Sequence, residues 1–329
     1  MSRRDFLKLC GAGVVGTTLL GGCRESVSGG SSNFPTRPIE VIVAYEAGGG
    51  TDVGARILQP YVEEELGQSL NIVNKPGGGG WVGWGDLAQA TPDGYTIGFI
   101  NSPNFMTGYL NPELDIRHNL DSFSPIGNQV TDYGAIGINP EDERFSTIDE
   151  LIEYAKQNRL TASSTGVGSD DHFSSLTLND KFGTKFEAVH TEGAAANITS
   201  VLGENIDVLF ANVGEMKPLH DDGRLKVVAV MSDREERSEY LPDVPTLSEG
   251  GYSGVYSWSS RGIAGPAGLD PGVKDVLVSA FKTAINKKGH LDKLAEQGLE
   301  VDYKAPDAYR KMLERDEERA KKLGEKYLW

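Results

Sequence analysis

Along the chain, short runs of aliphatic and β-branched residues alternate with segments whose apolar positions return every three or four residues. Ile39 to Tyr45 is the first such run, and it ends in Glu46-Ala47-Gly48-Gly49-Gly50-Thr51-Asp52. Val53, Ile57, Leu58, Tyr61, Val62 and Leu66 then recur at helical spacing. Thr51 or Asp52 is placed to cap that helix and Gly67 to end it. Leu70 to Asn74 predicts a second strand, followed by Lys75-Pro76 and the run Gly77 to Gly80. A short helix through Leu87 and Ala88, a Pro92-Asp93-Gly94 turn and a strand from Tyr95 to Ile100 complete a β-α-β-α-β pattern. That order predicts a mostly parallel, doubly wound sheet.

The middle of the chain repeats the scheme. Thr147-x-x-Glu150 is a capping box that opens an amphipathic helix to about Gln157. Leu160 to Ser164 predicts a strand that stops at Thr165-Gly166-Val167-Gly168-Ser169, and a helix follows from Asp170 to Asp180. Phe186 to His190 predicts another strand, ending at Thr191-Glu192-Gly193 before a helix through Ile198, Val201 and Leu202. Strands are predicted over Ile206 to Phe210 and Leu225 to Met231, with an apolar stretch from Val255 to Ala264. Helices begin near Pro271 and Pro306, where proline fits the first turn.

The N-terminus follows a different logic. Ser2-Arg3-Arg4-Asp5-Phe6-Leu7-Lys8 precedes an apolar run from Leu9 to Leu20, too short to span a bilayer and suited to an export signal. The arginine pair resembles a twin-arginine signal. Gly21-Gly22-Cys23 resembles a lipobox, in which the cysteine is diacylated and becomes the new N-terminus. The competing reading is an ordinary buried amphipathic helix. On the export reading, residues 1–22 are a lipoprotein signal and 23–33, Gly/Ser-rich and polar, a flexible tether from a two-chain lipid anchor. Cys10 and Cys23 are the two cysteines, so the mature body holds no disulfide and must rely on its cores.

Composition narrows the classes. The chain has 329 residues, enough for two domains, and 38% apolar residues exclude a disordered or polytopic membrane protein. Lys and Arg total 32 against 48 Asp and Glu, a net charge of −16 that argues against nucleic acid as a partner.

Three predicted strand-to-helix loops share one design: Gly48 to Asp52, Thr165 to Ser169, and Thr191 to Gly193. Glycine lets the backbone approach a ligand closely, and a helix entrance offers free N–H groups and a favourable dipole to an anion. Loops at the carboxyl ends of strands are where open α/β sheets hold ligands. No phosphate-binding Gly-Lys-Ser/Thr or G-x-G-x-x-G follows the first strand, so a carboxylate fits better than a nucleotide. Asp52, while ionised, is expected to cap its helix or to hold a bridging water instead of touching the anion. Arg261, after Trp258 in an apolar stretch, is either a surface ion pair or a clamp on a second carboxylate. Trp81 and Trp84 are core or cleft wall, and the glycine run beside them is a flexible turn. His172 and His190 lack partners at metal-ligand spacing and are expected to be structural; no metal and no cofactor are expected. No nucleophile–base signature appears.

Arg37-Pro38-Ile39 before the first glycine loop, Asn74-Lys75-Pro76-Gly77, Pro92-Asp93-Gly94-Tyr95-Thr96, Ser163 to Ser169, Leu241-Pro242-Asp243-Val244-Pro245-Thr246 and Gly265-Pro266-Ala267-Gly268 occur in the order that resembles the solute-binding receptors of tripartite tricarboxylate transporters, the Bug-like family. The resemblance runs from about residue 34 to 325. It implies a two-lobed periplasmic-binding-protein type II fold, with residues 34–132 and 252–329 in one domain and 133–251 in the other. It further implies a carboxylate gripped in the interdomain cleft by main-chain N–H groups and waters. The positions it carries over are Gly48, Gly49, Gly50, Thr51, Asp52, Ser102, Thr165, Gly166, Val167, Gly168 and Ser169. Gly193 and Arg261 are further candidates. The third loop departs from the family's aromatic-Lys/Arg-Gly pattern by carrying Glu192.

The expectation is therefore a lipid-anchored receptor on the outer face of the cytoplasmic membrane that delivers a small di- or tricarboxylate to permease subunits and transforms nothing. The alternatives are a receptor that reports to a membrane sensor kinase and, more remotely, a secreted α/β hydrolase.

Overall fold

The computed structural model of the chain describes residues 33–234 and 236–329. The export signal, Cys23 and nearly all of the tether lie outside the described residues. In the first part of the chain the elements are β1 (Ile39–Val43), α1 (Gly50–Leu66), β2 (Leu70–Asn74), α2 (Trp81–Gln89), β3 (Thr96–Ser102), α3 (Asn104–Leu110) and β4 (Phe123–Ile138). Next come α4 (Ile148–Gln157), β5 (Leu160–Ser164), α5 (Asp170–Phe182), β6 (Phe186–His190), α6 (Ala194–Leu202), β7 (Val208–Asn212), α7 (Val213–Asp221) and β8 (Lys226–Val230). The chain ends with β9 (Trp258–Pro266), α8 (Pro271–Ile285), α9 (Lys288–Glu296), β10 (Val301–Lys304) and α10 (Pro306–Tyr327).

The strands follow one hydrogen-bonded path, β2-β1-β3-β9-β4-β7-β5-β6, with β8 and β10 added beside β4. The expected parallel pairs β1–β2, β1–β3 and β5–β6 are present. What joins the halves is β4, 16 residues long. Phe123 to Tyr133 pairs antiparallel with β9, and from Gly134 onward the same strand pairs with β7 and β8. The two sheets of the fold thus share one strand.

Each half is covered on both faces. Side chains alternate along a strand, so Ile39, Val41 and Val43 pack with Leu58, Leu277 and Phe281 of α1 and α8. Ile42 faces the other way, toward Trp84, Phe105, Tyr309 and Leu313 of α2, α3 and α10. In the second half, Ile136 and Ile138 pack with Leu151 and Ile152 of α4, while Ala135, Leu209 and Ala211 meet Val201 and Met216 of α6 and α7. Tyr252 and Val255 belong to the α4-side core of this second half.

Candidate functional site

The β1–α1 turn brings Gly48 to φ +86°, a conformation that favours glycine. The turn is held by Asp52, whose carboxylate accepts from the Gly48 N–H at 3.0 Å, from Arg56 and, at 3.0 Å, from Asn74 Nδ2. Burial pushes the Asp52 carboxyl up, but these donors outweigh it and hold it below the usual carboxylate range. Neither Thr51 nor Asp52 caps α1, contrary to the sequence expectation. The N-cap residue is Gly49, which has no side chain to offer, so the first-turn N–H groups of Gly50 and Thr51 find no acceptor among the described residues. At Gly50 the close approach is real: a Cβ there would lie 2.5 Å from Arg261 Nη1 and 2.7 Å from Glu215 Oε1.

The β5–α5 loop was expected to present N–H groups in the same way, and it does not. Thr165 N–H donates to Asp171 Oδ2 at 3.3 Å, Gly166 N–H to Ser164 Oγ at 3.2 Å and Gly168 N–H to His172 Nδ1 at 3.1 Å. Ser169 N–H donates to the Gly166 carbonyl at 3.2 Å, and its hydroxyl caps α5 by accepting from His172 N–H at 3.1 Å. Within Thr165 to Ser169 that leaves the N–H of Val167, whose residue is exposed. Burial, and secondarily the nearby His190, pushes His172 down to about 4, so its ring stays neutral and accepting near pH 7. His172 is structural, as its sequence context predicts.

The third loop is closer to the first. Gly193 caps α6 without a side chain, and Ala194 at the head of that helix lines the same cavity as Gly49, Gly50 and Thr51. Gly193 itself packs beside Tyr45, across from the first loop, whereas Glu192 is exposed toward an outer pocket shared with Gly166, Val167 and the Gly78–Gly79 turn.

The cavity between these entrances is walled on one side by Tyr45, Asn101 and Asn104 and on the other by Thr165, Asp170, Asp171, Asn212 and Glu215. Arg261 of β9 crosses it. The residue is 2% exposed, and its guanidinium donates to Glu215 Oε1 at 3.0 Å and Asn212 Oδ1 at 3.1 Å and lies 3.1 Å from the Asp132 carboxylate. Arg261 is thus neither a surface pair nor free to clamp a ligand with its Nη2 edge. Burial raises the Asp132 carboxyl to about 7 despite Arg261, and burial also raises Asp170 and Asp171. Ser102 lies off this cavity, its hydroxyl donating to Asp316 of α10 in a neighbouring pocket that also holds Trp258 and Arg319.

Asn101, Asn104, Asp170, Asp171, Asn212 and Glu215 escaped the sequence reading. Asn212-x-x-Glu215 carries a usable signal, a capping pair in which Glu215 accepts from the Asn212 N–H at 3.1 Å. Trp84 is wholly buried and Trp81 stacks on Phe105 at 5.2 Å; the former is core and the latter faces the outer pocket. Among the described residues no cluster of His, Cys, Asp and Glu is placed to hold a metal, and no helix is long and apolar enough to cross a membrane.

Comparison with known proteins identifies the family and the fold. A family model described as "Tripartite tricarboxylate transporter family receptor" matches residues 54–327. A UPF0065 protein from the gbd 5' region of Cupriavidus necator is 30% identical over 318 residues, 94% of this chain and 93% of the relative. A TctC solute-binding protein from Polaromonas, solved without ligand, is 32% identical, superposes with a TM-score of 0.64 and covers 89% of this chain and 100% of its own. MatC from Rhodopseudomonas palustris, solved with bound malate, shares the fold at a TM-score of 0.81 and 23% identity, over 88% of this chain and 99% of its own.

Proposed function

The chain belongs to the tripartite tricarboxylate transporter receptor family, and on that premise we propose that it captures a small carboxylate outside the cytoplasm and hands it to a membrane permease. The observation that carries this reading is the uncapped entrance of α1, facing the cavity with free N–H groups at Gly50 and Thr51. A carboxylate there gains charge-assisted hydrogen bonds and the helix dipole. The entrance of α6 at Ala194 adds donors from the opposite side, so the anion is fully satisfied only when both sides meet. Malate in the related MatC supports the carboxylate class.

Residues 34–132 and the C-terminal segment form one lobe in this reading, and 133–251 the core of the other. The change of partners within β4 between Tyr133 and Gly134 supports the first crossing. The second crossing is better set at Ser257–Trp258 than at 252, because Tyr252 and Val255 pack with Leu151 and Leu247. Asn104 Nδ2 to Thr165 Oγ1 at 3.2 Å and Arg261 to Glu215 at 3.0 Å are then ties between lobes, made on closing. Cys23 is the proposed lipid anchor that keeps the receptor near its permease.

Isothermal titration of the purified chain with malate, succinate and citrate tests the binding reading. Saturable binding to at least one acid, lost in Gly50→Val, is the expected result. Turnover of any of them would replace it with an enzyme.

A further inference from the structure

Large apolar side chains left in water gather at one place. Of the four that are exposed among the described residues, Val82 at 51%, Leu114 at 47% and Val167 at 52% surround the outer pocket; the fourth, Tyr256, lies beside Trp258 and Arg319. Leu114 and Val167 line the pocket, and Val82 packs over Gly77 and Gly78 at its rim. Apolar exposure gathered in this way marks a surface that a partner covers. The glycine run belongs to the same face. Gly77 to Gly80 hold φ between +59° and +118°, and the Gly79 backbone comes so close to the second glycine loop that a Cβ at Gly166 would lie 3.5 Å from its Cα.

Charge and position narrow the partner. Glu113 and Glu192 are exposed on the pocket wall, and no lysine or arginine lines it. His190 is the basic side chain present, and burial pushes it down, so it is neutral near pH 7. A net charge of −16 sets a second copy of the chain against this face, and the two carboxylates turn an anionic lipid surface away. Asn104 and Thr165 line both this pocket and the ligand cavity, and the 3.2 Å bond from Asn104 Nδ2 to Thr165 Oγ1 is a partition between them. A protein that takes the ligand through that partition sits on the outer pocket.

We propose that the outer pocket is the docking face for the receiving permease, and that it takes an extracytoplasmic loop of that membrane protein in which an apolar side chain is flanked by lysine or arginine. This rests on the delivery reading above and gives its partner a place and a chemistry. The apolar side chain fills the space between Leu114 and Val167, and its basic neighbours meet Glu113 and Glu192. Exposed carboxylates of this kind set the rate of encounter and the register more than the affinity. Glu113 and Leu114 come from the chain before Tyr133, Val167 and Glu192 from the chain after it, so the face is whole only while the two sides are together. The loop therefore favours the closed, loaded receptor over an open one that presents half of the face.

Uptake and binding, measured side by side, test the face. The full chain is restored to cells that carry the permease and lack their own receptor gene. Uptake of radiolabelled malate, succinate or citrate, whichever binds in calorimetry, is then scored at receptor levels matched by immunoblot. Glu113→Lys with Glu192→Lys, and separately Val82→Ser with Leu114→Ser, should each bind the acid within about threefold of the unmodified chain yet lower uptake about tenfold or more. Retained binding reports that each pair is folded. Glu141→Lys with Glu143→Lys, the same change of charge at a separate pocket, should leave uptake within about twofold. Full uptake with either face pair overturns the docking face and leaves the carboxylate receptor intact. Equal loss with the Glu141 pair also overturns it, because net charge then governs uptake. A liganded dimer in sedimentation velocity that Val82→Ser with Leu114→Ser disperses assigns the face to a second copy and overturns the permease loop. Binding without uptake by the unmodified chain defeats the delivery reading and the docking face together.

Discussion

Two helix entrances that look alike in sequence behave oppositely in the structure. Gly48-Gly49-Gly50 leads into α1 with no side chain at the cap, and the first-turn N–H groups are left open to the cavity. Thr165-Gly166-Val167-Gly168-Ser169 leads into α5 with a serine cap, a histidine ring on Gly168 and two aspartates in the first turn. Glycine content alone therefore does not mark an anion site. What distinguishes the two is where the N–H groups go, and the residues that decide it are Ser169, Asp171 and His172. One entrance is receptive to an anion. The other puts the carboxyl groups of Asp170 and Asp171 at the cavity wall.

The largest effect is expected where the two sides are tied. Arg261→Met leaves Asp132 and Glu215 buried without their cation and should cost about 3–5 kcal/mol in urea unfolding at pH 8. The cost shrinks at pH 5, where Asp132, with its carboxyl raised to about 7, is protonated. Next is the receptive entrance itself. Gly50→Val drives a side chain into Arg261 and Glu215 and should weaken carboxylate binding by about two orders of magnitude, or roughly 2.7 kcal/mol, by calorimetry. The pH dependence of stability comes third. Asp132, Asp170 and Asp171 have folded-state carboxyls above their unfolded values, so their contribution is greatest at low pH and is lost as pH rises, for Asp132 between about 4 and 7. His172, held at about 4, works in the opposite direction over about pH 4 to 6.5. Burial raises Asp316 with these acids and lowers His190 and His290 with His172, so four acids oppose three histidines, and the unliganded chain should melt at a higher temperature at pH 5 than at pH 8, with Asp171→Asn flattening that slope. The smallest effect belongs to the satisfied loop. Gly166→Ala, at φ +137°, should cost about 1 kcal/mol of stability yet leave carboxylate affinity within about threefold, because its N–H already serves Ser164.

Periodic and alternating segments gave up their structure readily. Leu70–Asn74, Leu160–Ser164 and Phe186–His190 are strands over the predicted residues, and Gly67 ends α1 in the left-handed conformation. The strand that organises the molecule was not legible. β4 reads FSPIGNQVTDYGAIGI, with proline, glycines and buried polar residues where it is flanked on both sides by other strands, so it shows neither alternation nor a clean apolar run. α3, at seven residues, was likewise too short to show a period, and α7 carries Pro218 inside it, which argues against a helix. At the site, the glycine loops were visible because a local backbone need produces a local signal. Asn101, Asn104 and Glu215 were not, since their importance arises from three strands and helices converging across the cleft. Whether a loop N–H is free also depends on its side-chain partners in space, which is why the two entrances could not be told apart beforehand.

The central claim is that the α1 entrance, and not the α5 loop, grips the ligand's carboxylate. Amide proton shifts of the isotopically labelled chain, followed while the acid that binds in calorimetry is titrated to saturation, test it most directly. The N–H resonances of Gly50 and Thr51 should move strongly downfield while those of Gly166 and Gly168 stay near their starting positions. Large shifts at Gly166 and Gly168 with Gly50 and Thr51 unmoved would contradict it.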